Sequence, residues 1–194
     1  VEGSAAAACQ MIWLLIPALG AAVTPEIADC LYTGVATDTG CFRYANATPE
    51  TFRIAAALIE SGARSAEINR VMFDTKSRTA IALLKRVYSD MEFFHGGRCA
   101  VLCLTQKLID ETGAQESDLD GVSATVRQVE GVLLGLTIRE RGENEYKISL
   151  RAAEPANAAE ICVRFGGGGH KGAAGCTIFA PLDAVKAQIV AACG

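Results

Sequence analysis

The order of apolar and polar positions divides the chain into a helical first part and a mixed second part. From Ala5 to Val23 the only polar side chain is Gln10, a run that could be a buried helix, a membrane span or a signal peptide. Glu2 is the only charge before it, no Lys or Arg flanks it, Pro17 interrupts it, and much of it is Ala rather than Leu or Ile. It is therefore read as a core helix whose covering neighbours lie outside this sequence, rather than as a span. Two helix starts share one chemistry, Thr24-Pro25-Glu26 and Thr48-Pro49-Glu50, in which a Thr hydroxyl caps and Pro presets φ in the first turn. Ile27, Leu31 and Val35 follow at helical spacing in one, and Phe52, Ala55, Ala56 and Ile59 in the other, before Ser61-Gly62 ends it. A third helix is predicted from Ser65 with Ile68, Val71 and Met72 inward. A longer one is predicted over Ser77 to Asp90, with Ile81, Leu84, Val87 and Tyr88 inward, suited to connect two domains.

The period changes after His95-Gly96-Gly97. A strand near 98–104, a helix near 106–112, a polar loop from Gly113 to Asp120 and a short helix around Thr125 are expected. Two strands, 132–140 and 144–151, meet at Arg141-Gly142-Glu143-Asn144. In the second, Tyr146, Ile148 and Leu150 alternate with Lys147, Ser149 and Arg151, the pattern of a half-buried hairpin. A helix near 156–164, a glycine run, a strand near 174–180 and a helix from Leu182 complete an α/β second half with a small sheet.

Composition narrows the function. The sequence has 194 residues, 51% hydrophobic and 21% charged, as expected of one or two small globular domains. With 18 Lys+Arg against 22 Asp+Glu, it lacks the basic surface that binds long duplex nucleic acid through counterion release. A phosphate-bearing partner must be met locally. Residues 1–42 hold Glu2, Glu26, Asp29 and Asp38 but no Lys or Arg, so the whole net charge of −4 lies there. The 8 cysteines form no CxxC pair, which removes zinc-ribbon and thioredoxin-like chemistry and leaves reduced, mostly buried thiols in a cytoplasmic protein. Cys99 and Cys103 fall on one face of a strand, in the core.

The least ordinary segment is Phe165 to Gly175. Gly166, Gly167, Gly168 and Gly169 expose backbone N–H groups with no Cβ in the way. His170 and Lys171 then add an imidazole and a cation, a combination suited to cradling a phosphate or carboxylate. A plain flexible linker is the alternative, but linkers seldom lead into a His-Lys pair and then an apolar strand. Arg151, near the end of the hairpin strand, has the planar fork that matches phosphate oxygens two at a time. A second candidate is Thr37 to Tyr44, where Asp38 stands on a Gly-bounded turn as a possible hard-metal ligand, with Arg43 and Phe42 or Tyr44 available for a phosphate and a base. One carboxylate does not make a metal site.

Together these segments resemble the DHH phosphoesterase family, in its nanoRNA-degrading and phosphoadenosine-phosphate phosphatase branch, related to RecJ-like exonucleases. The marks are Leu31-Tyr32-Thr33-Gly34, Thr37-Asp38-Thr39-Gly40, Phe42-Arg43-Tyr44, Thr48-Pro49-Glu50-Thr51, Ile148-Ser149-Leu150-Arg151 and Gly166 to Gly175. The last resembles the signature of the DHH-associated domain, and the Asp38 block the final motif of the catalytic domain. The resemblance implies the helical remainder of a DHH catalytic domain over 1–76, a connector helix and linker over 77–96, and a mixed-sheet associated domain over 97–194. It implies a two-manganese hydrolase that releases 5′-mononucleotide from very short RNA, nucleotide 3′,5′-bisphosphate or linear di-adenylate. In such an enzyme a pair of cations about 3.5–4 Å apart generates hydroxide. Asp38 would be a metal ligand and, with His170, catalytic. Arg43, Arg151, Gly166 to Gly169, His170 and Lys171 would bind substrate.

The family's Asp-x-Asp and Asp-His-His blocks are not in this sequence, whose only histidines are His95 and His170. The chain is thus expected to correspond to a C-terminal portion, inactive alone, with the other metal ligands outside it and with a homodimer one assembly open to it. A binding module of the kind found at the end of alanyl-tRNA synthetases is the competing reading, against which the Asp38 block argues. A membrane-attached domain would rest on Ala5 to Val23 alone.

Overall fold

The computed structural model describes residues 6–119 and 121–194. They fall into two compact units, Val1–Thr75 and Lys76–Gly194.

The first unit is helical: α1 (Ala8–Ala18), α2 (Pro25–Asp38), α3 (Pro49–Glu60) and α4 (Ser65–Asn69), the last running into a π turn over Arg70–Asp74. Both Thr-Pro-Glu starts cap as expected, Thr24 Oγ1 accepting from the Ile27 N–H at 3.4 Å and Thr48 Oγ1 from that of Thr51 at 3.3 Å. The core is α2 against α3, through Ala28, Leu31 and Val35 on one and Ile54, Ala55 and Leu58 on the other. α1 packs beside them because Gly34 has no side chain; a Cβ there would overlap the sulfur of Cys9.

The described residues cover α1 on one side only. Its buried residue is the polar one, Gln10, which donates to Thr51 Oγ1 at 3.0 Å and accepts from the Ala7 N–H at 3.2 Å. Met11, Ile12, Leu14, Leu15 and Leu19 are exposed, since α2 and α3 cover one side only. Among the described residues no helix is long and apolar enough to cross a membrane. Val71 and Met72, expected inward, are also exposed. The α-helix gives way to the wider π turn after Asn69, which rotates the following side chains off the α-helical stripe.

The second unit opens with α5 (Arg78–Ser89), capped by Ser77 Oγ on the Ala80 N–H at 2.8 Å. Its buried stripe is Leu83 and Val87, while Ile81 and Tyr88, expected inward, point to solvent. Both stripes obey helical spacing, and only that of Leu83 and Val87 meets the sheet. α5, the helix suited to a connector, thus lies within this unit. The remaining elements are β1 (Glu92–Phe94), β2 (Cys99–Leu104), α6 (Gln106–Thr112), α7 (Val122–Arg127), β3 (Leu134–Gly142), β4 (Glu145–Ala152), α8 (Ala158–Val163), β5 (Gly168–His170), β6 (Ala173–Phe179) and α9 (Leu182–Ala191). They build a six-stranded sheet in the order β1-β2-β3-β4-β6-β5. β2 and β3 are parallel, joined by a crossover through α6 and α7, and the other neighbours are antiparallel. Sequence reading missed β1, and missed that the glycine run ends in a strand.

Side chains paired across neighbouring strands share a face. One face carries Leu136, Ile148, Leu150 and Cys176 and is covered by α8 and α9 through Ile161, Cys162, Val185 and Ile189. On the other, α5, α6 and α7 cover Ala100, Leu102 and Leu104 of β2. The β4-β6-β5 end of that face carries Lys147, Ser149, Arg151, Thr177, Gly168 and His170, all exposed or half-buried.

Gly34→Val is expected to destabilise the protein by about 1–3 kcal/mol through overpacking against Cys9, measured by urea unfolding. In the second unit Asp118 accepts from Thr79 Oγ1 (2.6 Å), Ser77 Oγ (2.7 Å) and the Gln115 N–H (2.9 Å). These hydrogen bonds, that from Thr79 foremost, hold its carboxyl below the ordinary 3.8. A carboxyl depressed in the folded state contributes stability present above its unfolded pKa and lost as pH falls through the folded one. Asp118→Ala is therefore expected to lower the Tm at neutral pH, with the difference shrinking below pH 3.8 as both proteins are scanned into acid.

Candidate phosphate-binding face

The open end of the sheet gathers residues that lie far apart in sequence. Gly135 pairs with Arg151, Arg151 with Ala173, and Ala173 with His170. Arg151 and His170 thus leave the same face two strands apart, with only the methyl of Ala173 between them, a Cα span of about 10 Å. Two positions along the strands, Thr137, Ser149, Gly175 and Gly168 form the next row.

The four glycines are there for different reasons. Gly166 has φ +72°, a left-handed backbone that costs other residues. A Cβ on Gly167 would lie 2.5 Å from Cys176 Cβ, and one on Gly169 would lie 2.5 Å from Ala174 Cα. Gly168 is unlike them: a Cβ there would meet nothing within 4 Å, and its φ is not positive. The protein itself does not require glycine at Gly168. What a Cβ would occupy is open space on the Arg151 and His170 face.

The hairpin that carries His170 is held at its tip. The Gly172 carbonyl accepts from the Ala152 N–H at 3.0 Å, and that of Lys171 accepts from the Ala158 N–H at 2.8 Å. Lys171 Nζ is spent on Glu154, 3.1 Å away, and so is not aligned with the row. Arg151 donates one N–H to the Leu150 carbonyl at 3.0 Å and, among the described residues, has no acidic partner. An unpaired guanidinium, an imidazole and an open glycine backbone on one face are what a phosphate needs. Sequence reading missed Ser149 and Thr137 here. Thr137 is 3% exposed and its Oγ1 has no partner. Strand alternation places Ser149 on the Arg151 side of β4 but by itself assigns it no role.

The opposite face is apolar and carries most of the buried thiols. Burial raises the thiols of Cys103 and Cys162, and pushes that of Cys176 up to about 12. A hydrogen bond between Cys193 and Cys99 shifts the Cys193 thiol up and the Cys99 thiol down.

In the first unit Asp38 is exposed as the last residue of α2, where the helix dipole disfavours a carboxylate and favours a cation. Gly40, Cys41 and Phe42 follow with φ of 56°, 57° and 63°. This left-handed run is held by Thr39, whose Oγ1 accepts from the Phe42 N–H at 3.1 Å and whose carbonyl accepts from those of Arg43 and Tyr44 at 3.0 Å. Such strain concentrates where function requires a fixed turn. Arg43 Nε donates back to the Gly40 carbonyl at 2.7 Å. The Phe42 ring lies tilted against its neighbours, its centroid 5.2 Å from that of Phe52 and 6.1 Å from that of Tyr32, so it serves the core, whereas Tyr44 is exposed. Among the described residues no group of three or more His, Cys, Asp or Glu can hold a metal. Asp38 fits a metal site as one oxygen ligand and no more.

The DHHA1 domain family matches residues 96–191, the span that contains the whole open face. The bifunctional oligoribonuclease and PAP phosphatase NrnA of Thermus thermophilus is 40% identical over 179 residues, 92% of this chain and 53% of that protein. Its counterpart in Bacillus subtilis is 22% identical over 198 residues, 100% of this chain and 62% of that protein. An exopolyphosphatase-related protein from Bacteroides fragilis superposes with a TM-score of 0.85 at 26% identity, covering 95% of this chain and 55% of that one. The chain thus spans between half and two thirds of the length of these relatives. With the Asp38 block, the Ile148–Arg151 strand and the glycine hairpin all in place, the chain belongs to the DHH phosphoesterase family, among the members that carry the DHH-associated domain.

Proposed function

We propose that the open sheet face grips a phosphate of a very short oligoribonucleotide or of a nucleotide 3′,5′-bisphosphate, within a cytoplasmic hydrolase that releases 5′-mononucleotide. Gly168 carries this reading: a glycine that neither backbone conformation nor packing demands, on the face shared by Arg151 and His170. Arg151 would hold two phosphate oxygens, His170 a third, and the backbone of Gly168 and Gly169 would approach without a Cβ between. The relatives named as oligoribonucleases and PAP phosphatases support that substrate class. A pair of manganese ions would supply activated hydroxide in the complete enzyme, and Asp38 would offer one carboxylate to them. The net charge of −4 fits short substrates held at one place rather than long duplexes held along a surface.

Gly168→Ala is expected to keep the Tm of the unmodified protein and to lose at least about tenfold in affinity for adenosine 3′,5′-bisphosphate, by calorimetric titration. Gly167→Ala, in contrast, lowers the Tm. Unchanged affinity in Gly168→Ala would refute the cradle, and tighter binding of a tRNA acceptor stem than of the bisphosphate would favour a synthetase-like binding module. Arg151→Ala should weaken the bisphosphate by roughly 10- to 100-fold, as for a charge-assisted hydrogen bond lost. The purified chain, with one carboxylate for metal, is expected to release no mononucleotide from a two-residue RNA in the presence of manganese.

A further inference from the structure

We infer that Arg127, at the end of α7, is a second cation of this face and sets preference for nucleotides with two phosphate groups over those with one. The inference rests on the phosphate-face reading above and extends it by one strand. α7 lies directly on β3 at Gly135, where a Cβ would stand 2.8 Å from the Arg127 nitrogen, 3.1 Å from its Cα and 3.0 Å from its Cβ. Gly135 is the cross-strand partner of Arg151. The Arg127 side chain therefore starts above the strand beside Arg151, on the same face. The row becomes Arg127 over β3, Arg151 on β4, Ala173 on β6 and His170 on β5, about 14 Å from Gly135 to His170 at the ordinary strand spacing.

Arg127 is exposed and, among the described residues, has neither an ion-pair nor a hydrogen-bond partner. The nearby Arg139 is different, held in a two-pronged pair with Glu116 at 2.8 and 2.6 Å. Two unpaired guanidinium groups, one on α7 above β3 and one on the adjacent strand β4, repel one another unless an anion lies between or across them. A ligand with a single phosphate satisfies Arg151 and His170 and leaves Arg127 idle. One with a second phosphate on the same ribose, or on the next nucleotide, satisfies both arginines. The glycine at Gly135 is what brings α7 low enough for this.

The test is calorimetric titration of the full chain with adenosine 3′,5′-bisphosphate and with adenosine monophosphate, in parallel for the unmodified protein, Arg127→Ala, Arg127→Lys and Arg151→Ala. Arg127→Ala is expected to weaken the bisphosphate about tenfold or more while shifting the monophosphate by less than about twofold. Arg127→Lys should recover most of the loss, and Arg151→Ala should weaken both ligands. An Arg127→Ala protein that binds the bisphosphate as tightly as the unmodified one, or that loses both ligands equally, would overturn the inference and leave the phosphate face standing. If the unmodified protein binds neither nucleotide, the face and the inference fall together.

Discussion

β5 lies against β6 so closely that Gly167 and Gly169 have no room for a side chain, and the candidate site follows from that approach. Register does the rest: with Gly169 opposite Ala174, His170 must stand opposite Ala173 and hence in line with Arg151. A slip of one residue would turn His170 to the apolar face under α8. The anchors that prevent the slip are backbone bonds, from Gly172 to β4 and from Lys171 to the start of α8. The loop that looks most flexible by composition is therefore fixed on both sides of its tip.

The sheet divides its labour between its faces. Beneath α8 and α9 it is apolar, and burial raises the thiols of Cys103, Cys162 and Cys176, so that face gives rigidity. On the other, the helices α5 to α7 lie over β2 and β3, with α7 reaching β4, and the polar alternate residues of β4 and β6 are exposed or half-buried beside them. One strand thus serves both purposes, with Tyr146, Ile148 and Leu150 inward and Lys147, Ser149 and Arg151 outward. In the first unit the turn after α2 is likewise a backbone device, three left-handed residues pinned by Thr39 directly after Asp38.

Much of this was legible in the sequence. The Thr-Pro-Glu starts, the alternation of β4 and the glycine run each state a local rule that tertiary packing did not overrule. Other features were not legible, for physical reasons. α5 has two apolar stripes of equal spacing, and the choice of Leu83 over Ile81 depends on a sheet the helix pattern does not contain. β1 and β5 are three residues each and exist only because a neighbour pairs with them. α1 reads as core because its residues are apolar, yet Gln10 is the one buried, through its bond to Thr51. The partnering of Lys171 with Glu154, 17 positions away, and the seating of Arg127 over Gly135, the strand partner of Arg151, are tertiary placements that no local pattern encodes.

The account stands on the claim that the ligand lies on the Arg151–His170 face and not elsewhere on the sheet. Amide NMR shifts during titration with adenosine 3′,5′-bisphosphate read this directly. The account requires the largest changes at Gly168, Gly169, His170 and Arg151, with the α8 and α9 amides left in place. Changes concentrated on α8 and α9, with the glycine hairpin unmoved, would contradict it.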